Sequence, residues 1–517
     1  MSTVLFDGTK YPVATGESVL EALVRGGVNI PFSCRKGSCQ VCMMQVVSGD
    51  PGLAATKGMR PALVEHRMFL PCSSHPNEDI SIKRPDLAAL YVEALVGEKT
   101  WVSESICKLS LEPETHIDWK PGQFINLRRE DGVVRSYSIA SIQEEDYFLS
   151  IHVKRVDNGV MSSWLLDEVS VGDSIRLQGP VGTCYYDPAQ QDQSLILLGT
   201  GSGLSPLIGV CRDALRQGHR GKIVLHHGSR YIDGLYLREQ LREMAASHVN
   251  FEYHVSLTEG DLEPGIERGR IVAHAFPEGA DREGWMVYLC GVPEMVFEAR
   301  VAAVRAGVVR ADIRADPFEY SHKVQPDDKR KIGSLEPLPQ LWAALDEGTK
   351  LSAILRSFYD EVFVDPRLAP FFRNVTKQRA IEKQYAFLAD LFTGGRDYFG
   401  LRPFNAHHWM VISDDLFDYR EAMLERAMRA GGLAEFVIRQ WAGVHELFRR
   451  EIVKGAARGM IIDGEEQPLT PPEQITVEYA TVCDGCESEM PVGMSGTYVS
   501  QTGQLFCPDC GVPSAHD

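Results

Sequence analysis

The chain has 517 residues, 44% of them hydrophobic and 24% charged, ordinary globular values and enough for roughly three to five separately cored domains. Its formal net charge of −18 argues against a nucleic-acid surface, which would need clustered Lys and Arg, and any docking partner would need a basic face. No apolar run approaches the roughly 18 residues of a membrane helix, and the opening MSTVLFDGTK lacks signal-peptide character, so a cytoplasmic address without a membrane partner is expected. In that compartment the 12 cysteines stay reduced and read as ligands before disulfides. Eight fall into two groups, 34, 39, 42 with 72 and 483, 486 with 507, 510; Cys107, Cys184, Cys211 and Cys290 stand alone.

Residues 1–90 open with a TVLFDG/KYPV hairpin pattern and an amphipathic SVLEALVRGG helix, with Val19, Leu20, Leu23 and Val24 expected on one face. Cys34, Cys39 and Cys42 then follow as C-x4-C-x2-C, and Cys72 in FLPCSS completes four soft thiolate donors. Gly37 and Ser38 suit a loop whose backbone N–H groups approach cluster sulfides. A zinc knuckle or unrelated buried thiols are the alternatives. The spacing resembles plant-type and bacterial [2Fe–2S] ferredoxin domains, which implies a β-grasp fold carrying a one-electron centre.

Residues 91–188 alternate strands and turns, as in QFINLRRE and YFLSIHVKRV, and suggest a small barrel. RSYSIAS (135–141) and GVMSSWL (159–165) resemble the two flavin motifs of the ferredoxin–NADP reductase superfamily. That resemblance implies FAD, with Arg135 at its pyrophosphate, Tyr137 on the ring system and Ser138 near the redox-active nitrogen. Gly159, Met161 and Ser162 would lie at the same pyrophosphate, at a helix start.

Residues 189–322 begin with the apolar strand SLILLG, a glycine-rich turn TGSGLSPL and a helix, a Rossmann-like pattern for a dinucleotide phosphate at Thr200, Gly201 and Gly203. WMVYLCGVPEMV resembles the superfamily's C-G-x-P element, placing Cys290 and Gly291 near the nicotinamide, and DPFEY places Phe318 near the flavin. HHGSR shows no obvious acidic residue to read a ribose, and Ser229 and Arg230 could tolerate a 2′-phosphate. Reductases with an N-terminal ferredoxin mostly use NADH, so NADH is preferred to NADPH. Residues 1 to about 320 thus resemble the reductase components of bacterial ring-hydroxylating and methane oxygenases, which serve a separate oxygenase.

Residues 323–340 are polar and proline-punctuated, a linker pattern. In 341–455 four helical stripes follow: Leu351, Ile354, Leu355, Phe358 and Val362; Ile381, Tyr385, Leu388 and Phe392; a helix over 414–430; and one over 433–454 with Val437, Trp441, Val444 and Phe448 on one side. FYDEVFVDPRLAPFF, KQYAFLADLFTGG and AHHWMVISDDLFD resemble, in order, segments of truncated globins, an all-α two-over-two fold around haem b. The resemblance implies His407 as proximal iron ligand, with His408 as the fallback. It puts Tyr359 and Gln384 on the distal side, where both can donate hydrogen bonds to ligand oxygen. Ala380 stands one turn before Gln384, so no distal histidine is expected there.

A second linker, 456–478, leads to 479–517, where CDGC and CPDC supply Cys483, Cys486, Cys507 and Cys510, a four-thiolate site of small zinc-ribbon type. CPDCG also resembles a rubredoxin knuckle, so iron is the alternative to zinc. The expectation is a multidomain α+β and α/β chain similar in logic to flavohaemoglobins with the order reversed. NAD(P)H would reduce FAD, a [2Fe–2S] cluster and then a haem globin that acts on O2 and NO as a nitric oxide dioxygenase. The alternative is a reductase serving an external oxygenase, with the globin as gas sensor or oxygen supplier.

Overall fold

Three successive sheets, a helical bundle and a small β tail make up the computed structural model. It describes the chain apart from residues 1, 14–16, 33, 36, 319–335, 373–374, 396–397, 399, 456, 463–464, 467–472, 478–480, 484–485, 487, 500–503 and 511–517. Most of the stretch read as the first linker, and the last two residues of DPFEY, therefore lie outside the described residues.

In the first sheet, β1 (Thr3–Phe6) alternates, burying Val4 and Phe6. It pairs antiparallel with β2 (Thr9–Pro12) and parallel with β5 (Ile80–Lys83); β3 (Met44–Ser48) and β4 (Met68–Phe69) complete the order β2-β1-β5-β3-β4. The helix Val19–Arg25 is nucleated by a capping box between Ser18 and Glu21. It buries Val19, Leu20, Ala22 and Leu23, whereas Val24 is exposed. At about 100° per residue the four buried side chains span roughly 160°, centred between Val19 and Leu23, and Val24 falls roughly 40° beyond Leu20, outside that arc, which corrects the expected face.

The second sheet is antiparallel in the order β10-β7-β6-β11-β8-β9, from β6 (Val92–Trp101), β7 (Ile106–Pro113), β8 (Phe124–Arg128), β9 (Val134–Ser138), β10 (Leu149–Lys154) and β11 (Ser174–Val181). A bridge between Ile139 and Ile151 joins its two edges, closing the sheet into a barrel. The third sheet is parallel, order β15-β14-β13-β12-β16-β17, from β12 (Leu195–Thr200), β13 (Ile223–Ser229), β14 (Phe251–Leu257), β15 (Glu267–Arg268), β16 (Met286–Gly291) and β17 (Ile313–Pro317). The near-continuous apolar runs of β12 and β16 reflect helices on both faces.

The helical unit starts at Pro339–Ala344 and continues through Thr349–Val362, Lys377–Thr393, Pro403–Ala406, Asp414–Ala430, Glu435–Leu447 and Arg449–Ile452. Its core holds Leu351, Ile354, Leu355, Phe358, Ile381, Leu388, Phe392, Trp441 and Val444. The helix expected over 433–454 is broken at Phe448, whose backbone (φ −97, ψ 2) leaves the helical region. Phe448 still reaches the core, and Arg449 beyond it is buried among acids, so the apolar stripe runs on although the helix does not. Gly394, at φ +76, ends the second long helix in the left-handed conformation that glycine adopts without strain.

This bundle packs its Glu435–Leu447 helix along the helix Pro293–Arg305 of the parallel-sheet unit, and Ala442 joins the hydrophobic cluster beneath that sheet. A Cβ on Gly443 would strike the stem of Arg305. Arg310 reaches Glu425 (2.6 Å), Glu446 (3.3 Å) and Glu421 (3.5 Å), and Arg300 reaches Glu446 (2.9 Å). Within the stretch read as a second linker, Ile461 is clasped at both backbone groups by the Asn405 amide, 2.8 and 2.9 Å, and Glu473–Thr476 pairs with Ser495–Val499 of the tail.

Candidate redox sites

The four N-terminal cysteines converge as two pairs. The Cys34 amide donates to the Cys39 sulfur (3.4 Å) and the Cys39 amide to the Cys34 sulfur (3.3 Å), while the Cys42 and Cys72 thiols adjoin. Gly37, at φ +80, lies where a Cβ would meet the Ser73 hydroxyl at 2.6 Å, so the loop folds tightly over Cys72. The neighbouring thiol and burial push Cys39 and Cys42 well above the ordinary thiol range. Four such sulfurs ionise together only around a cation, and two pairs fit two irons. The loop's other flank meets the barrel: Asn126 on β8 donates to the Cys39 carbonyl (2.8 Å), and Cys39 and Val41 pack with Val134 and Phe124.

At the barrel edge, Arg135, Tyr137 and Ser138 share β9. Tyr137 is half-buried, and burial raises its phenol. The Ser138 hydroxyl donates to Asp316 (3.1 Å) on β17, and the Ser205 hydroxyl donates to the Ser138 carbonyl (3.3 Å). Ser138 therefore sits where barrel, glycine turn and the DPF segment meet; neither Asp316 nor Ser205 was singled out by the sequence. Gly159 caps the short helix Val160–Ser163, with Met161 buried and the Ser162 hydroxyl donating to the Gly159 carbonyl (3.2 Å).

Thr200 ends β12 and Gly201–Gly203 form the turn into the helix Leu204–Arg216. The turn lies flat on the end of β16. A Cβ on Gly203 would overlap the Cys290 carbonyl, one on Gly291 would overlap the Thr200 hydroxyl, and that hydroxyl accepts from the Val292 amide (3.1 Å). Phe318 follows, its amide bonded to the Gly291 carbonyl (2.8 Å). Cys290 is fully buried with Cys184, also unforeseen, 3.7 Å away between sulfurs. At the end of β13, Glu259 from the loop after β14 pairs with Arg230 (3.0 Å) and accepts from Tyr231 (2.7 Å). An acid thus does stand beside the HHGSR strand end, reaching it from 29 residues downstream of Arg230.

In the bundle, the Tyr359 hydroxyl donates to the Gln384 side-chain oxygen at 2.6 Å. Burial raises the phenol to about 12, and Phe358, Phe363 and Phe372 surround its ring. Ala380 is buried on the same helix as Gln384. His407 follows the turn Pro403–Ala406, and its Nδ1 faces the Pro403 carbonyl at 2.8 Å. A carbonyl there fixes the N–H on Nδ1 and leaves the Nε2 lone pair for a metal. Burial holds His407 down at about 4, hence neutral, as a metal ligand must be. His408 is more buried, and its Nδ1 is engaged by the Asn405 carbonyl (2.7 Å).

The four C-terminal sulfurs, of Cys483, Cys486, Cys507 and Cys510, lie within 4.8 Å of one another. The Cys507 amide donates to the Cys483 sulfur (3.2 Å). This is a compact four-thiolate donor set suited to one zinc or iron ion.

Two dinucleotide-type units, a paired-cysteine loop between barrel and bundle, and a histidine-bearing helical pocket define an iron–sulfur flavoprotein oxidoreductase that carries its own globin. Comparison with protein families agrees. Residues 4–77 match the 2Fe-2S iron-sulfur cluster binding domain, 93–186 the oxidoreductase FAD-binding domain, 197–300 the oxidoreductase NAD-binding domain and 341–452 the bacterial-like globin. The chain is 32% identical over 311 residues to the reductase subunit of an aromatic O-demethylase from Amycolatopsis sp., covering 58% of this chain and 92% of that one. It is 29% identical over 310 residues to a ferredoxin–NAD(P)(+) reductase component of naphthalene 1,2-dioxygenase/salicylate 5-hydroxylase systems from Ralstonia sp., covering 59% and 94%. A crystal structure of a cytochrome P450 reductase from Amycolatopsis superposes with a TM-score of 0.45 at 29% identity, covering 62% of this chain and 100% of that one. Over about its first 320 residues the chain belongs to the family of iron–sulfur flavoprotein NAD(P)H reductases that includes this O-demethylase subunit, extended here by the globin and the four-cysteine tail.

Proposed function

We propose that this chain is an NADH-dependent nitric oxide dioxygenase, turning NO and O2 into nitrate at its globin with electrons from its own reductase. The observation that carries the reading is the 2.6 Å hydrogen bond from Tyr359 to Gln384 in a bundle that also presents His407. Haem held by His407 would supply the iron at which O2 and NO meet; FAD and the cluster would divide a hydride's electron pair into single electrons.

The protein's own part is positional. Tyr359 spends its proton on the Gln384 oxygen, which fixes the amide and turns its N–H groups into donors for a bound oxygen. The aromatic wall of Phe358, Phe363 and Phe372 keeps bulk water from that donor. Pro403 sets the His407 tautomer. Arg135, Tyr137, Gly159, Met161 and Ser162 would hold FAD, with Ser138 and its partner Asp316 at the flavin–nicotinamide junction. Thr200, Gly201, Gly203, Cys290 and Gly291 would seat NADH, and Phe318, held to the Gly291 carbonyl, would pack near the flavin. Glu259 occupying Arg230 favours NADH over a 2′-phosphorylated cofactor, because the guanidinium is already paired.

The test is NADH-dependent NO consumption by the fully loaded protein, with nitrate measured as product. Tyr359→Phe should bind O2 with an off-rate raised about fivefold, the loss of roughly 1 kcal/mol from one hydrogen bond. No nitrate from the wild type sinks the reading and favours service to a separate oxygenase, the role named for the relatives.

A further inference from the structure

The globin meets the cysteine loop through a contact that the reductase module alone does not have. The turn that ends the bundle lies on the cluster loop. A Cβ on Gly455 would overlap the carbonyl of Arg35 and stand 3.4 Å from the carbonyl of Cys72. His75 ties the same point down, reaching the Gly455 carbonyl from Nε2 and the Glu17 carbonyl from Nδ1, 3.1 Å each. Lys57 and Asp415 form a close ion pair alongside.

On the globin side this turn is bound to the proximal segment. The Lys454 ammonium donates to the His407 carbonyl (2.6 Å), its amide donates to the Ile412 carbonyl (2.9 Å), and the Arg458 amide donates to the His408 carbonyl (2.8 Å). From the cluster loop the His75 hydrogen bond to the Gly455 carbonyl, one peptide link to Lys454 and the Lys454 side-chain hydrogen bond lead to the His407 carbonyl. The opposite flank of the loop, at Cys39, is pressed on the flavin barrel through Asn126. The other junction, where Arg300 and Arg310 enter the bundle, contains none of the candidate cofactor residues.

We propose that Gly455, with Lys454 behind it, is the electron-entry seam of the globin, so that the cluster passes its electron within the chain to the proximal side while the same seam covers the cluster's Cys72 face against an external acceptor. This rests on the globin reading above. One electron crosses per event: the cluster is oxidised by one, ferric haem is reduced by one, no bond breaks and no proton moves. NADH, through FAD, replaces the electron. Tethering gives the internal acceptor a millimolar-type effective concentration that a dissolved protein does not match.

The experiment is anaerobic stopped-flow mixing of the intact, cofactor-loaded protein with NADH, following flavin, cluster and haem, with cytochrome c reduction measured separately as the external one-electron readout. In Gly455→Val, haem reduction should slow about tenfold, a docking change of roughly 1.4 kcal/mol, while flavin and cluster reduction hold and cytochrome c reduction rises. Hydrogen exchange over 34–42 and 452–455 should rise together. Because a bulky residue at 455 can also disturb folding, Lys57→Glu and Lys57→Glu/Asp415→Lys form a second series. The single change should slow haem reduction about two- to fivefold at low salt and the double change should restore it. Haem reduction that ignores both series, with the exchange change present, overturns the seam and sends the electron from flavin directly. Haem reduction that follows the seam without nitrate formation leaves the seam and removes only the nitric oxide reading.

Discussion

The globin is held at two places by opposite means. Against the parallel-sheet unit it is locked by charge taken out of water: Arg310, Arg300 and Arg449 converge on Glu446 and Glu421, both about 1% exposed. Against the cluster loop it is held by fit, through a glycine with no room for a side chain, one histidine bridge and one exposed ion pair. The difference separates fixing from transfer. A buried ionic lock is costly to open and orients the bundle; a thin seam of backbone, bridged only by the His75 and Lys454 side chains, brings two sites together.

The largest effect should come from Arg310→Met, which strips a cation from Glu421, Glu425 and Glu446 at once. Removing one partner of a buried pair costs about 3–5 kcal/mol, and the remaining Arg300 and Arg449 favour the lower end. Thermal unfolding of the holoprotein, with proteolysis of the bundle, measures it; a loss below about 1 kcal/mol would mean the lock does not hold.

Acid should reproduce part of that effect. Burial alone would raise the Glu446 carboxyl, but Arg449, Arg300 and Arg310 bring it down to about 2 from an ordinary 4.5. Its folded pKa is depressed, so its stabilisation, on the order of 3 kcal/mol, is complete above the unfolded value and is lost as pH falls toward 2. Denaturation curves at stepped pH should show that slope in the wild type and a reduced one in Glu446→Gln. Salt should do least. Lys57 and Asp415 are 67% and 60% exposed, so raising ionic strength should change internal haem reduction by no more than about twofold. A steep dependence would instead mean that charge, not fit, closes the seam.

Spacing and periodicity carried much of the architecture. C-x4-C-x2-C with a distant fourth cysteine, a glycine turn between strand and helix, and four helical stripes are local signals, and the sheets, turn and helices form where those signals lie. What stayed hidden depends on residues far apart in sequence. Asp316 meets Ser138 across 178 positions, Glu446 meets Arg310 across 136, and the Gly455 carbonyl meets His75 across 380. No window of sequence contains both partners, and a lone glycine after a helix reads as punctuation. Glu259 escaped notice for the same reason: the strand end it serves is brought to it by the sheet. The break at Phe448 was masked because its side chain keeps the periodicity that its backbone abandons.

Arg310 has one more implication, for anyone rearranging this chain. A cut in 323–340 looks like a clean border between cassettes, yet the guanidinium that neutralises the globin's inner acids is encoded upstream of it. A globin excised there keeps Arg449 but leaves Arg300 and Arg310 behind, and a foreign globin grafted there receives two arginines with nothing to meet. The helix Pro293–Arg305 and Arg310 belong to the parallel-sheet core and to the globin's ionic lock at once, so the border of inheritance lies inside the reductase.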